Sequence, residues 1–207
     1  MSKVNSIIRN VHPSDLPYLY NICLKTGANG EDATALFQDL YMVGQYYAAP
    51  YVFYEPDICF VAEKEGEHIP LGYVLGASDS HKFYKWMDET WLKEIRLRYT
   101  NGYKPETPQE HYLYNRITDT GPYAFDSDMY RNEYPAHMHI DILPELQHTG
   151  CGRRLVEAFL DALRKKNVPG IHLGVSSDNL NAQGFYKKLG FSVLEGDKYG
   201  MVLGMKL

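Results

Sequence analysis

A glycine-containing loop between a predicted strand and a predicted helix is the first place where this sequence suggests chemistry. The loop reads Gln147-His148-Thr149-Gly150-Cys151-Gly152-Arg153. Free backbone amides and the positive end of the helix dipole suit such a junction to anionic groups, phosphate in particular. Gly150 and Gly152 would let phosphate oxygens approach the backbone. The loop lacks the Lys-Ser/Thr pair of a P-loop and the GxGxxG dinucleotide pattern, and a tight helix start without a ligand is the alternative interpretation.

Three polar side chains alternate with apolar ones just before this loop. His137, His139 and Asp141 would share one face of a strand. His172 and Gly174 would share a face of the neighbouring strand, and if the two faces coincide, a polar row lines a cleft. Such groups can bind a cation or take part in proton transfer. For His137 and His172, a core histidine bonded to a backbone carbonyl is the alternative.

The spacing of these residues is also similar to the HxHxDH signature of metallo-β-lactamase-type hydrolases, in which neighbouring histidines bind a metal ion. Ile142 stands where the last histidine of that signature would be, and no matching ligands follow downstream. We therefore expect no metal site. A metal-dependent hydrolase using His137, His139 and Asp141 is only a distant alternative function.

Hydrophobic periodicity predicts the elements that must position these residues. The strand-helix-strand order from residue 136 onward implies a crossover joining parallel neighbours. The predicted strands cover residues 6–9, 58–62, 71–76, 136–143, 171–176, 191–194 and 201–206, and the predicted helices begin at Pro13 and cover 31–41, 152–166 and 179–189. The fold class is therefore α/β (α+β), with residues 1–207 forming a single domain. Its central mixed twisted sheet would have about six to seven strands flanked by helices.

Residues 80–134 differ in composition from the rest of the chain and are interpreted as a long insertion. They are rich in Tyr, Trp, His and charge, they carry eight of the 18 tyrosines, and one or two helices are expected in them, including residues 86–99. A lid that covers a substrate and an elaborated surface loop are the two interpretations. Candidates for lining a substrate pocket are Tyr99, Tyr103, Tyr112, Tyr114, Tyr123, Tyr130 and Tyr134.

The composition excludes several classes of partner. The formal net charge of −5 offers no positive excess for a nucleic-acid backbone, and no run of 18 apolar residues would span a membrane. Three scattered cysteines suit a reduced, cytoplasmic setting. A small neutral or basic partner fits this balance better.

A second motif follows the glycine loop after one helix and one strand. Its residues form an NxxAxxxYxKxGF pattern: Asn179, Ala182, Tyr186, Lys188, Gly190 and Phe191. Together with the QxxGxG of the loop, this pattern resembles the Gcn5-related N-acetyltransferase (GNAT) superfamily, over a cofactor core at residues 136–195. The segments YPAHMHIDILPELQ and VPGIHLGVSSDN are similar to the acetyltransferase-like domain of animal O-GlcNAcases and its free-standing microbial relatives.

The resemblance implies acetyl-CoA as donor, with pyrophosphate held by loop amides. The pantetheine arm would lie beside residues 140–143, where two parallel strands splay apart at a bulge in 141–143 and one amide stabilises the oxyanion. The implied cofactor-binding residues are Ile142, Leu143, Gln147, His148, Thr149, Gly150, Cys151, Gly152, Arg153, Asn179 and Lys188. His148 and Thr149 replace residues that are often basic in the family, and Arg153 would compensate, whereas Arg154 is expected to be a solvated helix residue.

The resemblance also implies direct acetyl transfer to a primary amine in a ternary complex. Tyr186 matches the family tyrosine that reaches the sulfur and is assigned the acid role. Asp141 is the first candidate for the base or the amine anchor, and His139 is the second. Cys151 is expected to face the core rather than to form an acetyl-enzyme. The acceptor is a small molecule or a protein lysine, a homodimer is plausible, and the alternative is a catalytically weak or inactive acetyl-CoA-binding or interaction module.

Overall fold

The computed structural model describes residues 5–119 and 127–207. Within these residues, seven strands form one open sheet in the order β1-β2-β3-β4-β5-β7-β6. The strands are β1 (Ser6–Asn10), β2 (Phe60–Lys64), β3 (Pro70–Ala77), β4 (Ala136–Ile142), β5 (Gly170–Ser176), β6 (Ser192–Gly196) and β7 (Gly200–Lys206). Neighbouring strands are antiparallel except β4 and β5, which are parallel. The mixed sheet confirms the predicted fold class, and the observed strands lie within a few residues of the predicted ones.

Helices cover both faces of the sheet. In the described residues they are α1 (Leu16–Thr26), α2 (Met42–Tyr47), α3 (Ala49–Tyr54), α4 (Ser80–Trp86), α5 (Leu92–Thr100), α6 (Pro108–Thr118), α7 (Asp128–Asn132), α8 (Cys151–Lys165) and α9 (Leu180–Leu189). Helix α8 packs against β1 to β4, and α1 packs against β3 and β4. None of these helices is both long and apolar enough to cross a lipid bilayer.

Helix α8 is held on the sheet by its apolar face. Its buried side chains there are Leu155, Val156, Phe159, Leu160 and Leu163. Each such side chain contributes about 1.5–3 kcal/mol when it is fully buried. This packing places the first turn of α8 directly beyond the end of β4.

The helix predicted over residues 31–41 is wrong. A single 3₁₀ turn occupies Thr34–Leu36, and α2 begins only at Met42. Two aspartates explain the difference, because Asp32 accepts a hydrogen bond from the Thr34 amide at 2.8 Å and Asp39 accepts one from the Tyr41 amide at 2.9 Å. Such local side-chain bonds to the backbone compete with helix hydrogen bonds.

The inserted segment 80–134 is more helical than predicted. Its described residues contain α4 to α7, and a wide π-type turn at Met87–Trp91 joins α4 to α5. Asp79 caps α4 by accepting from the Lys82 amide at 3.0 Å, and Thr107 caps α6 by accepting from the Glu110 amide at 3.1 Å. The sequence Thr107-Pro108-Gln109-Glu110 is a helix-start signal that would have predicted α6.

Strands β4 and β5 separate soon after they begin. They pair only at Ala136–Ile171 and His137–His172. Beyond this point β4 remains paired with β3 while β5 pairs with β7 along its whole length. A wedge therefore opens between two neighbouring parallel strands in the middle of the sheet.

Candidate active site

The junction between β4 and α8 presents unsatisfied backbone amides at the start of a 15-residue helix. The amide of Cys151 donates to Thr149 Oγ1 at 3.4 Å, whereas the amides of Gly152 and Arg153 have no acceptor among the described residues. The helix dipole adds positive potential at the same place. An anionic group such as phosphate would satisfy these donors.

The two glycines of the loop have different roles. Gly150 has a φ of +84°, and no atom lies within 4 Å of the position a Cβ would take, so the turn is left-handed and open. A Cβ on Gly152 would lie 3.2 Å from Ile142 Cδ1 and 3.3 Å from the Phe185 ring. Gly152 therefore allows the close packing of α8 on β4 and α9, and its role in ligand approach stays a prediction.

The edge of β4 that faces the wedge carries free backbone groups. The Leu143 amide donates to the Leu71 carbonyl at 2.8 Å, so it is committed to the β3 side and is not available to a ligand. Because hydrogen bonding alternates along an antiparallel pair, the amides of Ile140 and Ile142 point to the opposite side, into the wedge. Of the two predicted residues Ile142 and Leu143, only Ile142 therefore offers its amide there.

The predicted bulge at residues 141–143 is absent from β4. The register between β3 and β4 is continuous from Gly72–Ile142 to Ala77–His137. The strands also diverge earlier than predicted, directly after His137. No extra residue is needed, because the divergence arises from β4 and β5 following different partners.

Several predicted cofactor residues hold the loop together with their own side chains. Gln147 Nε2 donates to the Ile142 carbonyl at 2.8 Å, and Thr149 Oγ1 donates to the Leu146 carbonyl at 2.7 Å. His148 is exposed and adopts a φ of +58°. These contacts fix the shape of the loop, and the side-chain contribution of His148 to a ligand stays a prediction.

Basic side chains near the loop differ in what they contact. Arg153 is exposed, 3.4 Å from Glu157 and 3.5 Å from the carbonyl of Lys188, whose own side chain is exposed. Arg154 donates to Ser6 at 2.9 and 3.0 Å and so ties α8 to β1. The Arg153 side chain is thus exposed beside the loop, where it can contact a ligand, whereas the Arg154 side chain holds α8 on β1.

Cys151 faces the core, as predicted. Its side chain is buried, and burial raises the pKa of its thiol. A thiol in this position is a poor nucleophile, because the thiolate is the reactive form.

Helix α9 brings the second motif toward the wedge. Asn179 caps the helix by accepting from the Ala182 amide at 3.0 Å, and it also lines the cavity described below. Tyr186 is buried between Phe185 and Phe191, with ring centroids 5.3 and 5.6 Å away. Burial and the nearby charge of Asp141 raise the pKa of its phenol, which therefore stays protonated.

A cavity of about 490 Å³ opens beside β4 on the face opposite α8. Its floor includes His139 and Asp141, and its walls come from α1, α2, α6 and the start of α9. The lining residues are Cys23, Thr26, Gly27, Asn29, Gly30, Phe37, Val43, Tyr47, Pro108, Gln109, Tyr112, Leu113, His139, Asp141 and Asn179. Its size is typical of a small-molecule site, and its lining is mostly apolar.

Asp141 is the acidic residue of the described cavity lining. The Tyr73 hydroxyl donates to its Oδ2 at 2.5 Å. Burial raises the pKa of the Asp141 carboxyl, and the hydrogen bonds from Tyr73 and Thr26 lower it, with burial the larger effect. A partly desolvated carboxylate of this kind attracts a cationic group more strongly than an exposed one does.

The polar row predicted on β4 continues onto β5. The His137 and His172 rings lie 6.1 Å apart, and the His137 and His139 rings lie 6.0 Å apart. His172 Nδ1 lies 2.6 Å from the Tyr134 carbonyl, as expected of a core histidine. Only His139 and Asp141 of this row line the cavity, and Gly174 does not.

His139 is joined to the protein interior by a chain of hydrogen bonds. Its Nε2 lies 3.0 Å from the Tyr51 hydroxyl, which lies 2.8 Å from His137 Nε2. His137 Nδ1 lies 2.7 Å from Ser80 Oγ, and Ser80 Oγ donates to the Pro135 carbonyl at 2.7 Å. Burial lowers the pKa of His139 to about 4 and that of His137 well below its usual value, so both rings are neutral at pH 7.

The histidine pair is not arranged as a metal site. The Nε2 atoms of His137 and His139 both contact the hydroxyl of Tyr51. Across residues 5–119 and 127–207, no three His, Cys, Asp or Glu side chains cluster in a way that could hold a metal ion.

Helix α6 of the inserted segment forms one wall of the cavity. The buried carboxylate of Glu110 fixes this helix, because it accepts from the amides of Gln38 and Glu106 at 2.8 Å each and from the Tyr103 hydroxyl at 2.5 Å. Of the tyrosines predicted to line a pocket, Tyr112 does so, and Tyr123 lies outside the described residues.

Sequence reasoning missed the residues that α1 to α4 bring to the site. They are Cys23, Thr26, Val43, Tyr47, Tyr51 and Ser80, together with Tyr73 on β3. No local spacing connects them to His139 or Asp141, because they approach β4 from distant parts of the chain. The excess of tyrosines is the signal that the sequence offers, but the prediction assigns the pocket tyrosines to the insertion, whereas Tyr47 and Tyr51 precede it.

Comparison with known proteins points to one family. The model of the acetyltransferase (GNAT) family matches residues 28–191. The crystal structure of SsHAT is 32% identical and covers 98% of both chains with a TM-score of 0.84. PaiA N-acetyltransferase from Thermoplasma acidophilum, crystallised with coenzyme A, shares the fold at 14% identity, a TM-score of 0.58 and 98% and 99% coverage.

Curated relatives match parts of the chain. Peptidyl-lysine N-acetyltransferase YjaB from Salmonella typhimurium is 29% identical over 63% of this chain and 79% of its own length. Mycothiol acetyltransferase from Nocardiopsis dassonvillei is 40% identical over 28% of this chain, and the match spans only 18% of that protein.

Proposed function

Because this chain belongs to the acetyltransferase (GNAT) family, we propose that it is an acetyl-CoA-dependent N-acetyltransferase that acts on a small primary amine by direct transfer. One observation carries the proposal. The wedge between β4 and β5, the free amides of α8 and the cavity floored by Asp141 and His139 all lie at one end of the same strand. A donor and an acceptor would therefore meet beside residues 139–142.

The donor side offers backbone groups that fit a pantetheine-pyrophosphate chain. The amides of Gly152 and Arg153 would hold the pyrophosphate, with the exposed guanidinium of Arg153 nearby. The amides of Ile140 and Ile142 would pair with the pantetheine arm as an added strand does. One of them would donate to the thioester oxygen as negative charge develops there.

The acceptor side fits a monocation with an apolar or aromatic body. Asp141 would bind the ammonium, and Phe37, Tyr47 and Tyr112 would contact the body of the molecule. Since Asp141 is the acidic group of the described lining, a polyamine would leave further charges unpaired. The net charge of −5 favours the approach of a cation.

Three side chains divide the chemistry. Asp141 anchors the amine, and His139, neutral at pH 7, accepts its proton. Tyr186 donates a hydrogen bond to the departing sulfur, since its phenol stays protonated. The amine nitrogen then bonds to the thioester carbonyl carbon as the carbon–sulfur bond breaks.

The test combines calorimetry with acetyl-CoA and a CoA-thiol release assay against 2-phenylethylamine, spermidine, glucosamine and a lysine peptide. We expect acetyl-CoA to bind and 2-phenylethylamine to accelerate release most. Tyr186→Phe should lower kcat about 10- to 100-fold and change acetyl-CoA affinity less than about threefold, because the hydroxyl acts on the leaving group.

Tyr199→Phe is the matched control, because Tyr199 is 74% exposed and lies outside the cavity lining. Tight acetyl-CoA binding without release by any amine would contradict catalysis and indicate an acetyl-CoA-binding module instead. CoA-thiol release that occurs with the lysine peptide but with none of the small amines would contradict the proposal that the acceptor is a small amine.

A further inference from the structure

The hydrogen-bond chain behind His139 has a direction that hydrogen-bonding chemistry determines. A carbonyl oxygen only accepts, so the Ser80 hydroxyl proton points to Pro135 and the short contact between Ser80 and His137 needs a proton on His137 Nδ1. A neutral imidazole carries one ring proton, and His137 Nε2 is therefore an acceptor. The Tyr51 hydroxyl proton must point to it.

The same reasoning determines the tautomer of His139. Since the single hydroxyl proton of Tyr51 is directed at His137, the contact between Tyr51 and His139 Nε2 at 3.0 Å needs a proton on that nitrogen. The other nitrogen, His139 Nδ1, then carries a lone pair. The Nδ1 atom has no hydrogen-bond partner among the described residues and is not fully buried. His139 itself lines the cavity.

We infer that Ser80, His137 and Tyr51 are positioning residues that hold His139 in its Nε2–H tautomer, so that Nδ1 accepts a proton from the amine. This inference rests on the proposed function. It adds that a series of uncharged hydrogen-bonding groups orients the base. This series ends at the Pro135 carbonyl and contains no carboxylate.

The proton and electron balance of the step is complete. The ammonium passes one proton to His139 Nδ1, and the freed lone pair bonds to the thioester carbonyl carbon. The sulfur leaves with the electron pair of the carbon–sulfur bond. The second proton lost by the nitrogen neutralises the thiolate, and His139 releases its proton to solvent. Asp141, two residues along the same strand face, stabilises the imidazolium in between.

Other titratable groups lie around His139, although burial is the cause of its lowered pKa. On the sheet they are His137, Asp141 and, on the far side of His137, His172. On the helices they are Cys23 of α1, Tyr47 of α2, Tyr51 of α3, Tyr84 of α4 and Tyr112 of α6. Arg116 of α6 lies near Tyr47 and Tyr84. Asp141 is the anionic group among them. The pH dependence of the amine reaction therefore reports Asp141 and His139 together, and the tautomer needs a separate measurement.

That measurement is a long-range ¹H–¹⁵N correlation spectrum of the histidine rings, with the His139 signals assigned by their loss in His139→Gln. We expect the wild-type protein to show an unprotonated Nδ1 and a protonated Nε2 at His139. Tyr51→Phe keeps the ring that stacks on Phe83 at 4.3 Å, and it should remove this preference. A wild-type Nδ1–H tautomer would overturn the inference.

Kinetics with 2-phenylethylamine test the role in transfer. Tyr51→Phe and Ser80→Ala should lower kcat about 10- to 100-fold, with KM for acetyl-CoA within about twofold. The loss should shrink as pH rises toward the amine pKa, about 10, where free amine no longer needs a base. Tyr54→Phe is the control on the same helix, because Tyr54 packs on Phe83 and Trp86 and takes no part in the hydrogen bonds that lead from Ser80 to His139.

The outcomes separate the two levels of the proposal. No transfer by the wild-type protein to any amine contradicts the proposed function, and the catalytic part of the inference fails with it. Transfer by the wild type together with Tyr51→Phe kinetics equal to those of Tyr54→Phe overturns the inference alone.

Discussion

The proposed donor side and the proposed acceptor side of the candidate site are built in different ways. The donor side consists of consecutive elements, β4, α8, β5 and α9, and it offers mainly backbone groups at a strand edge and a helix start. The acceptor side consists of side chains from α1, α2, α6 and β4, which lie far apart in the chain. Backbone sites need a geometry that short motifs specify, whereas side-chain sites need distant elements to meet.

This difference predicts that changes on each side should affect different constants. Donor-side substitutions should change acetyl-CoA affinity, and acceptor-side substitutions should change the amine reaction. The three substitutions that follow test this separation.

The largest effect is expected on the acceptor side, from Asp141→Asn. The change keeps the shape of the side chain but removes the charge that anchors the ammonium. Loss of a buried charge partner costs about 2–5 kcal/mol, so kcat/KM for the amine should fall at least about 30-fold. Acetyl-CoA affinity, measured by calorimetry, should stay within about twofold. A loss of acetyl-CoA affinity as large as the fall in kcat/KM would contradict the prediction that the two sides affect different constants.

A medium effect is expected on the donor side, from Gly150→Ala. The left-handed φ of +84° is unfavourable for alanine, at a cost of about 1 kcal/mol. We expect a lower melting temperature and an acetyl-CoA affinity reduced about fivefold, with the KM of the amine unchanged. Gly184→Ala is the control, because no atom lies within 4 Å of its Cβ position in α9. It should stabilise the protein by about 0.5–1 kcal/mol and leave affinity unchanged.

The smallest effect is expected from Tyr73→Phe, in the acid limb of the pH profile of kcat/KM for the amine. The Tyr73 hydroxyl stabilises the Asp141 carboxylate and so lowers its pKa against the larger, raising effect of burial. Removing the hydroxyl raises that pKa further. Asp141 then protonates at higher pH, and the acid limb should move to higher pH.

Tyr130→Phe provides the matched control for this change. It removes a second phenol–carboxylate hydrogen bond, to Glu195 on β6, outside the cavity lining. Its acid limb should coincide with that of the wild type. An acid limb that Tyr73→Phe leaves unchanged would show that Asp141 does not control the amine reaction.

The sequence predicted the positions of the glycine loop and of α9 closely, whereas it missed most residues of the cavity, and the binding roles of both stay predictions. The loop around Gly150, the cap at Asn179 and the buried Tyr186 lie where local motifs placed them. The alternation of His139 and Asp141 correctly predicted a shared face. Residues 31–41 have helical periodicity but do not form the predicted helix, because Asp32 and Asp39 accept hydrogen bonds from nearby backbone amides in turns. Helical spacing alone does not reveal such competing turns.

The sequence alone determined the strand and helix order from β4 to α9 and the polar row on β4, because both follow from periodicity within single elements. Only the tertiary structure decided that β4 and β5 diverge after His137, that Tyr51 contacts both His137 and His139, and that α6 lines the cavity with His139. The physical reason is that strand partners and buried hydrogen bonds join residues far apart in the chain. Their pairing depends on how the helices pack on the sheet, which no local pattern records.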